Sequence, residues 1–417
     1  MQLGPYSITA QERDGKVWRD SVYQDDIHTV RLYQQGNPRS YPLHELGGAP
    51  LMLSFDKFSN SINNYTYTIE HCSPTWQSSG LSSQIYLSGM RRAYINQYQH
   101  SFNTYYNYVH YTLQFPNRDM KPKIPGNYIL KVYEDDDQLV ITRRFYVAAN
   151  KVNISANLQQ ANLPQYRDSR QEVDFTINYQ GLKNVSEPFQ QFQVVIRQNG
   201  REDNAIRGLK PRYVEGKTLI YDYQEKNLFK GGNEFRPLDI RSLDYGGQGV
   251  RKIQLDSAFT AHLNVDESRA YQTHLNYNDN NGRNLTLTSN RDQPNLKAAY
   301  VSTYFYLDAN PSLKANEAIY VFGGLSDWQI KERYKLQYLP DKGVYYANML
   351  LKQGYYDYKY AISKGPGHKV NTQRLEGSHF ETENEYIILV YFKDPFRNIF
   401  KLIGVKTIKN GPGNRDQ

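Results

Sequence analysis

The sequence predicts an all-β protein of three consecutive β-sandwiches, and three observations predict it. Apolar and polar residues alternate with a period of two in many short runs, as half-buried antiparallel strands require. Helical periodicity is short everywhere, with Ser83 to Tyr94 the only candidate. Tyrosine is over-used, with 38 Tyr against 17 Phe, and its rigid amphipathic ring suits strands with one wet face as well as protein interfaces. At 417 residues the chain is too long for one sandwich core.

Residues 1–24 are polar and unpatterned, an arm or a leading strand. A first sandwich is expected over 25–149. In it Tyr65, Tyr67 and Ile69 alternate with Thr66, Thr68 and Glu70, and Val109, Tyr111, Leu113 and Phe115 alternate with His110, Thr112 and Gln114. Ile129 to Tyr133, the acidic Asp135-Asp136-Asp137 and Leu139 to Val147 read as a hairpin.

A second sandwich is expected over 150–297. Val173, Phe175, Ile177 and Tyr179 form one inward stripe and Phe192, Val194 and Ile196 another, with weaker strands near Leu219 to Tyr221, Arg236 to Ile240 and Val250 to Leu255. Asn276 to Arg283 is a loop of turn-formers, and the Asn-rich Ser289 to Asn295 links onward.

The third sandwich is expected over 298–408. Tyr300 to Leu307 and Ala318 to Phe322 are strands. Then Tyr356, Tyr358, Tyr360 and Ile362 share one strand face, with Tyr355, Asp357, Lys359 and Ala361 on the other. Tyr386, Ile388, Val390 and Phe392, with a last strand near Leu402 to Val405, are expected to close this sandwich, leaving 409–417 as a loose tail.

The formal charge of +8 comes from 50 basic and 42 acidic residues interspersed along the chain. No basic block alternates with aromatics as a nucleic-acid groove requires, so no nucleic-acid partner is expected. One cysteine, Cys72, excludes an intrachain disulfide, which fits a reducing cytosol or a bacterial periplasm. No apolar run of about 18 residues occurs, so no helix spanning a membrane is expected. The start, Met1-Gln2-Leu3-Gly4-Pro5, carries neither a basic region nor an apolar core, so the protein stays inside or its signal peptide is already removed.

Catalytic patterns are missing. His71 and Cys72 are adjacent, so on a strand they point to opposite faces and cannot act as a pair. Glu215-Gly216-Lys217-Thr218 ends like a phosphate loop, but Pro211 stands where the first glycine belongs. Asn278 to Gly282 fails as a calcium loop, because Tyr277 falls where a carboxylate is needed. No enzyme, cofactor, metal or small-molecule substrate is expected.

Two polar-aromatic clusters are candidate binding sites. Phe229, Asn233, Glu234, Phe235 and Arg236 flank Gly231-Gly232 and are candidates for a partner interface. Their plainer reading is a sandwich edge with a local Glu234–Arg236 pair. Trp328 with Tyr356 and Tyr358 is a candidate platform for stacking sugar rings, which would make the C-terminal part a carbohydrate-binding module of α-glucan type.

The run Val321 to Trp328 (strand, Gly323-Gly324, then Trp328) and the run Gly354 to Ala361 resemble the early-set immunoglobulin-like modules found beside glycogen and starch enzymes. The whole chain resembles the plug proteins of the type IX secretion system of Bacteroidetes. The motifs that carry this are Tyr67-x-Ile69-Glu70-His71-Cys72 with Trp76, Ser101-Phe102-Asn103-Thr104 with His110-Tyr111, and Gly126-Asn127-Tyr128 with Thr142-Arg143-Arg144-Phe145. Further along come Arg197-Gln198-Asn199-Gly200-Arg201, Gly231 to Arg236, Leu351 to Tyr356, and Glu376-Gly377-Ser378 with Glu381-Thr382-Glu383-Asn384-x-Tyr386.

The resemblance implies three consecutive immunoglobulin-like β-sandwich domains and a non-catalytic role in the periplasm, at the inner face of the outer membrane. The implied partner is the large outer-membrane β-barrel translocon, whose periplasmic mouth the protein would close when no substrate is in transit. A domain of about 120 residues has a radius of gyration near 13–14 Å, wide enough to stopper a pore that a loop could not.

Overall fold

The computed structural model describes residues 18–290 and 292–410. Its short strands pack as face-to-face sheets around three apolar clusters, all-β as the alternation predicts.

In the first sandwich, one sheet runs in the order Ser21–Val22, Gln138–Ala148, Gly126–Glu134, Tyr65–Cys72, Ala93–Tyr94, with Leu43–Glu45 paired parallel to Gln138–Ala148. The facing sheet runs Ile27–Gln34, Leu51–Lys57, Val109–Phe115, Gln97–His100. Tyr65, Tyr67, Tyr111 and Tyr128 are fully buried between them. Their hydroxyls reach polar partners at the rim, as Tyr111 does by donating to the Asn63 carbonyl (3.0 Å) and Tyr128 to the Ile124 carbonyl (2.7 Å). The acidic hairpin turn forms over Asp135–Asp137. The helical candidate at 83–94 shrinks to one turn, Ser83–Tyr86, followed by strand. Of the expected arm and tail, residues 1–17 and 411–417 lie outside the described residues. Ser21–Val22 is a strand of the first sandwich, and Lys409 ends the strand Ile399–Lys409.

The second sandwich pairs Asn153–Gln160, Arg170–Asn178, Thr218–Tyr221, Tyr213–Glu215 and Leu228–Lys230 against Ile206–Leu209, Phe192–Gln198, Glu385–Asp394 and Ile399–Lys409. The strands holding Tyr386, Ile388, Val390 and Phe392 therefore do not close the third sandwich. They complete the second, in the register Phe192↔Phe392, Val194↔Val390, Ile196↔Ile388. Glu385–Asp394 is buried on both faces. Its even residues enter the second core, while Ile387, Leu389 and Tyr391 pack with Trp76, Ile129 and Tyr146 of the first sandwich.

The third sandwich sets Arg236–Asp239, Gly354–Ser363, Asn284–Thr286 and Ala318–Phe322 against Val250–Leu255, Phe259–Glu267, Tyr300–Asp308, Val344–Lys352 and Gln337–Leu339. Its strands run from 236 to 363, inside the second sandwich's sequence. The expected boundaries at 150–297 and 298–408 are corrected accordingly: 236–286 joins the third sandwich and 385–409 the second. A period of two fixes which face of a strand is buried, but not which distant strand it pairs with.

Candidate functional site: the junctions between the sandwiches

An inserted sandwich needs two crossings, one outward and one back. Here they run side by side. Outbound, Gly231 N–H donates to the Ser169 carbonyl (3.0 Å), and His379 N–H of the return segment donates to the Gly232 carbonyl (2.7 Å). Asn233 Nδ2 donates to the Glu376 carbonyl (2.8 Å), Thr382 Oγ1 to the Gly232 carbonyl (2.9 Å), and Asn384 Nδ2 to the Gly231 carbonyl (2.8 Å). A Cβ on Gly231 would collide with the His379 carbonyl, so only glycine permits this approach.

Two guanidiniums and two carboxylates brace the crossings from the third-sandwich side. Arg236 reaches Glu376 Oε1 (3.1 Å) and Asp266 Oδ1 (2.9 Å), and Arg269 reaches Glu376 Oε2 (2.6 Å). Burial pushes the Glu376 carboxyl up, but Arg236 and Arg269 outweigh it and hold it at about 2. Glu234, fully buried, accepts Glu383 N–H (3.0 Å) and lies 3.1 Å from His274 Nε2. Burial raises its carboxyl well above the usual range.

Phe229, Asn233, Glu234, Phe235 and Arg236 are thus all buried. They form no partner surface. Phe229 packs on Tyr386, and Phe235 lies between Trp328 and the Lys359 ammonium. The plainer reading is half right: Glu234 and Arg236 do not pair with each other, because their side chains serve opposite ends of the crossing.

The proposed sugar platform also dissolves. Tyr356 and Tyr358 lie in the third core, 4% and 2% exposed, with Tyr358 OH bonded to Asp266 Oδ2 (2.6 Å). Trp328 packs on Phe322 and Phe235, with the strand's Ala361 in the same cluster. That is the opposite face of Gly354–Ser363, so no single ligand can stack on all three rings.

The first and third sandwiches meet at Asp56. Its Oδ2 takes Lys352 Nζ (2.6 Å) and Tyr300 OH (2.6 Å), and its Oδ1 lies 2.6 Å from His110 Nδ1. Burial would raise the Asp56 carboxyl, but Lys352 and His110 together bring it below its ordinary value. Burial lowers the Lys352 ammonium, and Asp56 offsets part of that. Beside this node lies a cavity of about 420 Å³ where the first and third sandwiches meet, with Arg197 of the second also in its lining, and it is rich in arginine. Sequence reading marks none of the four residues of this node as a site: His110 and Lys352 enter only within a strand pattern or the motifs of the family resemblance, and Tyr300 only as the start of a strand. A lysine two positions before a turn glycine carries no sign that it will meet an aspartate in another sheet.

His71 and Cys72 do face opposite ways. Cys72 packs into the contact between first and second sandwiches, where burial pushes its thiol up to about 12, and His71 faces Tyr128 in the first sandwich. Neither is poised for nucleophilic chemistry. The carboxylate oxygens of Glu172, Asp174 and Asp222 lie within 4.8 Å of one another. Side-chain amides of Gln159, Asn162 and Asn227 donate to Glu172 and Asp174.

Residues 27–149, nearly the whole first sandwich, match the family model of the type 9 secretion system plug protein 1st domain. No curated protein matches the chain. Among solved structures, a hypothetical protein from Parabacteroides merdae is 30% identical with a TM-score of 0.90, covering 95% of this chain and 100% of that one. The first sandwich carries the plug-domain pattern and the remainder follows a relative end to end; the chain belongs to the plug protein family of the type IX secretion system.

Proposed function

We propose that this protein is a non-catalytic periplasmic subunit that binds the periplasmic mouth of the system's large outer-membrane β-barrel translocon and closes it while no substrate is in transit. The observation that carries this reading is the plug-domain match over residues 27–149. One feature supports it. A stopper must hold its shape under load, and the sandwiches here are fastened by buried ion pairs and a doubly laced crossing rather than by a free linker. No helix among the described residues is long and apolar enough to cross a membrane.

Closing and reopening calls for a reversible contact, hence an interface of roughly 1,600 Å², wet and rich in Tyr and Arg, rather than an obligate apolar one. The test is a native pull-down of the tagged protein from mildly solubilised source membranes. Recovery of one very large outer-membrane β-barrel at near-equal stoichiometry supports the reading. A second measurement is outer-membrane permeability in cells lacking the protein, with and without the translocon. Leakage is expected only where the translocon is present, and unchanged permeability would sink the proposal.

A further inference from the structure

We propose that the cavity between the first and third sandwiches is a binding site for a carboxylate-bearing ligand, held by Arg31 and Arg333. This goes beyond the plug reading and stands whether or not that reading does.

The inference begins with charge. Most of the cations lining the cavity are already answered by the protein. Lys352 has Asp56 (2.6 Å), Arg143 has Asp327 (3.5 Å), Arg197 and Arg144 share Glu202 (3.5 and 4.0 Å), and Arg283 has Glu385. Two have no such contact. Arg31, from the first sandwich, donates to the Pro38 carbonyl (2.9 Å) and leans on the Tyr33 ring, and Arg333, from the third, leans on Tyr334 and acts on Asp327 through its charge alone. Neither makes an ion pair among the described residues, although both line the cavity. The lining acid Asp327 has its contact pairs with Arg143 (3.5 Å) and Lys331 (2.7 Å). A guanidinium that burial disfavours and that only a neutral carbonyl satisfies leaves donors free for an anion.

The backbone supports the same place. The pairing of Ile27–Gln34 with Leu51–Lys57 slips between His28 and Arg31, a bulge of the kind that re-aims a side chain. Within it Thr29 has φ 49°, and across the cavity Asp327 and Trp328 have φ 55° and 56°. A β-branched residue rarely adopts that conformation, and strain of this kind gathers where a ligand is held. Here the Thr29 hydroxyl is tied to Tyr300 OH (2.6 Å), fixing the bulge against the third sandwich.

The lining selects the ligand class. Guanidinium forks contributed by two different sandwiches suit planar carboxylates. Leu32, Met349, Leu351 and Tyr356 supply apolar wall between them, so the ligand would carry an apolar body as well as its charge. An acidic peptide segment and a free polycarboxylate share this chemistry.

The test uses the full chain in isothermal titration with three probes: an acetylated, amidated Glu-Phe-Glu-Leu tetrapeptide, citrate and inorganic phosphate. Saturable binding of either carboxylate probe is expected, weakened at least tenfold by Arg333→Gln and by Arg31→Gln and unchanged by Arg118→Gln, an exposed arginine elsewhere on the first sandwich. Binding of the peptide alone identifies a polypeptide source, and citrate alone a small-molecule source; both support the site. Arg333 is exposed, so its substitution keeps the test valid should Arg31→Gln misfold. No binding of either carboxylate, binding indifferent to both substitutions, or phosphate binding as tightly as the carboxylates overturns the proposal.

Discussion

Asp56 and Lys352, 296 positions apart, meet at 2.6 Å in an ion pair sealed from solvent, 0% and 1% exposed, that joins the first sandwich to the third. The two partners' shifts point to different balances. Asp56 is brought below its ordinary value, a gain from pairing, whereas Lys352 is lowered mainly by burial, a loss. Each contact to Asp56 is a short bond at 2.6 Å, so the pair fixes how the sandwiches meet more than it adds net stability. Lys352→Met leaves a buried carboxylate without its cation and is expected to cost roughly 3–5 kcal/mol in chemical denaturation. Asp56→Asn on top of it should recover a large part. A double mutant no more stable than Lys352→Met alone would show that the pair is not the coupled unit described.

Glu376 is the corresponding clamp at the crossing. Its carboxyl is held at about 2, below the ordinary value, so the stability it contributes is complete above pH 4.5 and is lost as the pH falls toward 2. Glu376→Gln should lower stability at pH 7 by about 3 kcal/mol and flatten the loss between pH 4.5 and 2. Thermal unfolding across that range measures both. Equal acid sensitivity in wild type and variant would remove Glu376 from the account.

Gly231 tests the lacing itself. Alanine there meets the His379 carbonyl, which the fold cannot move without parting the two crossings. Gly231→Ala should speed limited proteolysis within 230–236 or 376–385 while each sandwich core stays protected. Cleavage at the wild-type rate would mean that the return segment yields easily and that the crossing is less rigid than its bonds suggest.

The reach of the sequence follows from the same interactions. The stripes at Tyr65-Tyr67-Ile69, Val173-Phe175-Ile177 and Tyr356-Tyr358-Tyr360 could be read because alternation depends only on neighbours in the chain. The insertion could not, because Ile388 facing Ile196 is a pairing across nearly two hundred residues, and any buried strand would have served the pattern equally well. The site candidates failed for a related reason. Asn233, Glu234 and Arg236 are polar because a crossing carries many backbone groups that need partners, and in sequence that is indistinguishable from a wet surface. Of the cavity arginines, Arg143, Arg144 and Arg197 stand out only as motif members and Arg31 and Arg333 not at all, since their meaning lies in which of them finds a carboxylate.

Asp357 supplies the last prediction, on the neutral side of the pH scale. Burial, then the nearby charge of Asp279, pushes its carboxyl up to about 7, although Asn280 N–H (2.5 Å) and Gly282 N–H (3.2 Å) bond its Oδ2 and pull the other way. An acid raised in the folded state binds its proton more tightly there than in the unfolded chain. Its contribution therefore favours folding at low pH, weakens as the pH rises from about 4, and levels off above about 7. Asparagine keeps an oxygen for both backbone donors and carries no charge. Asp357→Asn should thus be more stable than wild type at pH 8, by up to roughly 4 kcal/mol if the site titrates alone, with the difference shrinking toward pH 4. Denaturation midpoints at pH 4, 6 and 8 decide it. A variant less stable than wild type at pH 8 would mean that the charged carboxylate is needed at the Asn280–Gly282 turn, and that its burial is offset by partners stronger than the two backbone bonds.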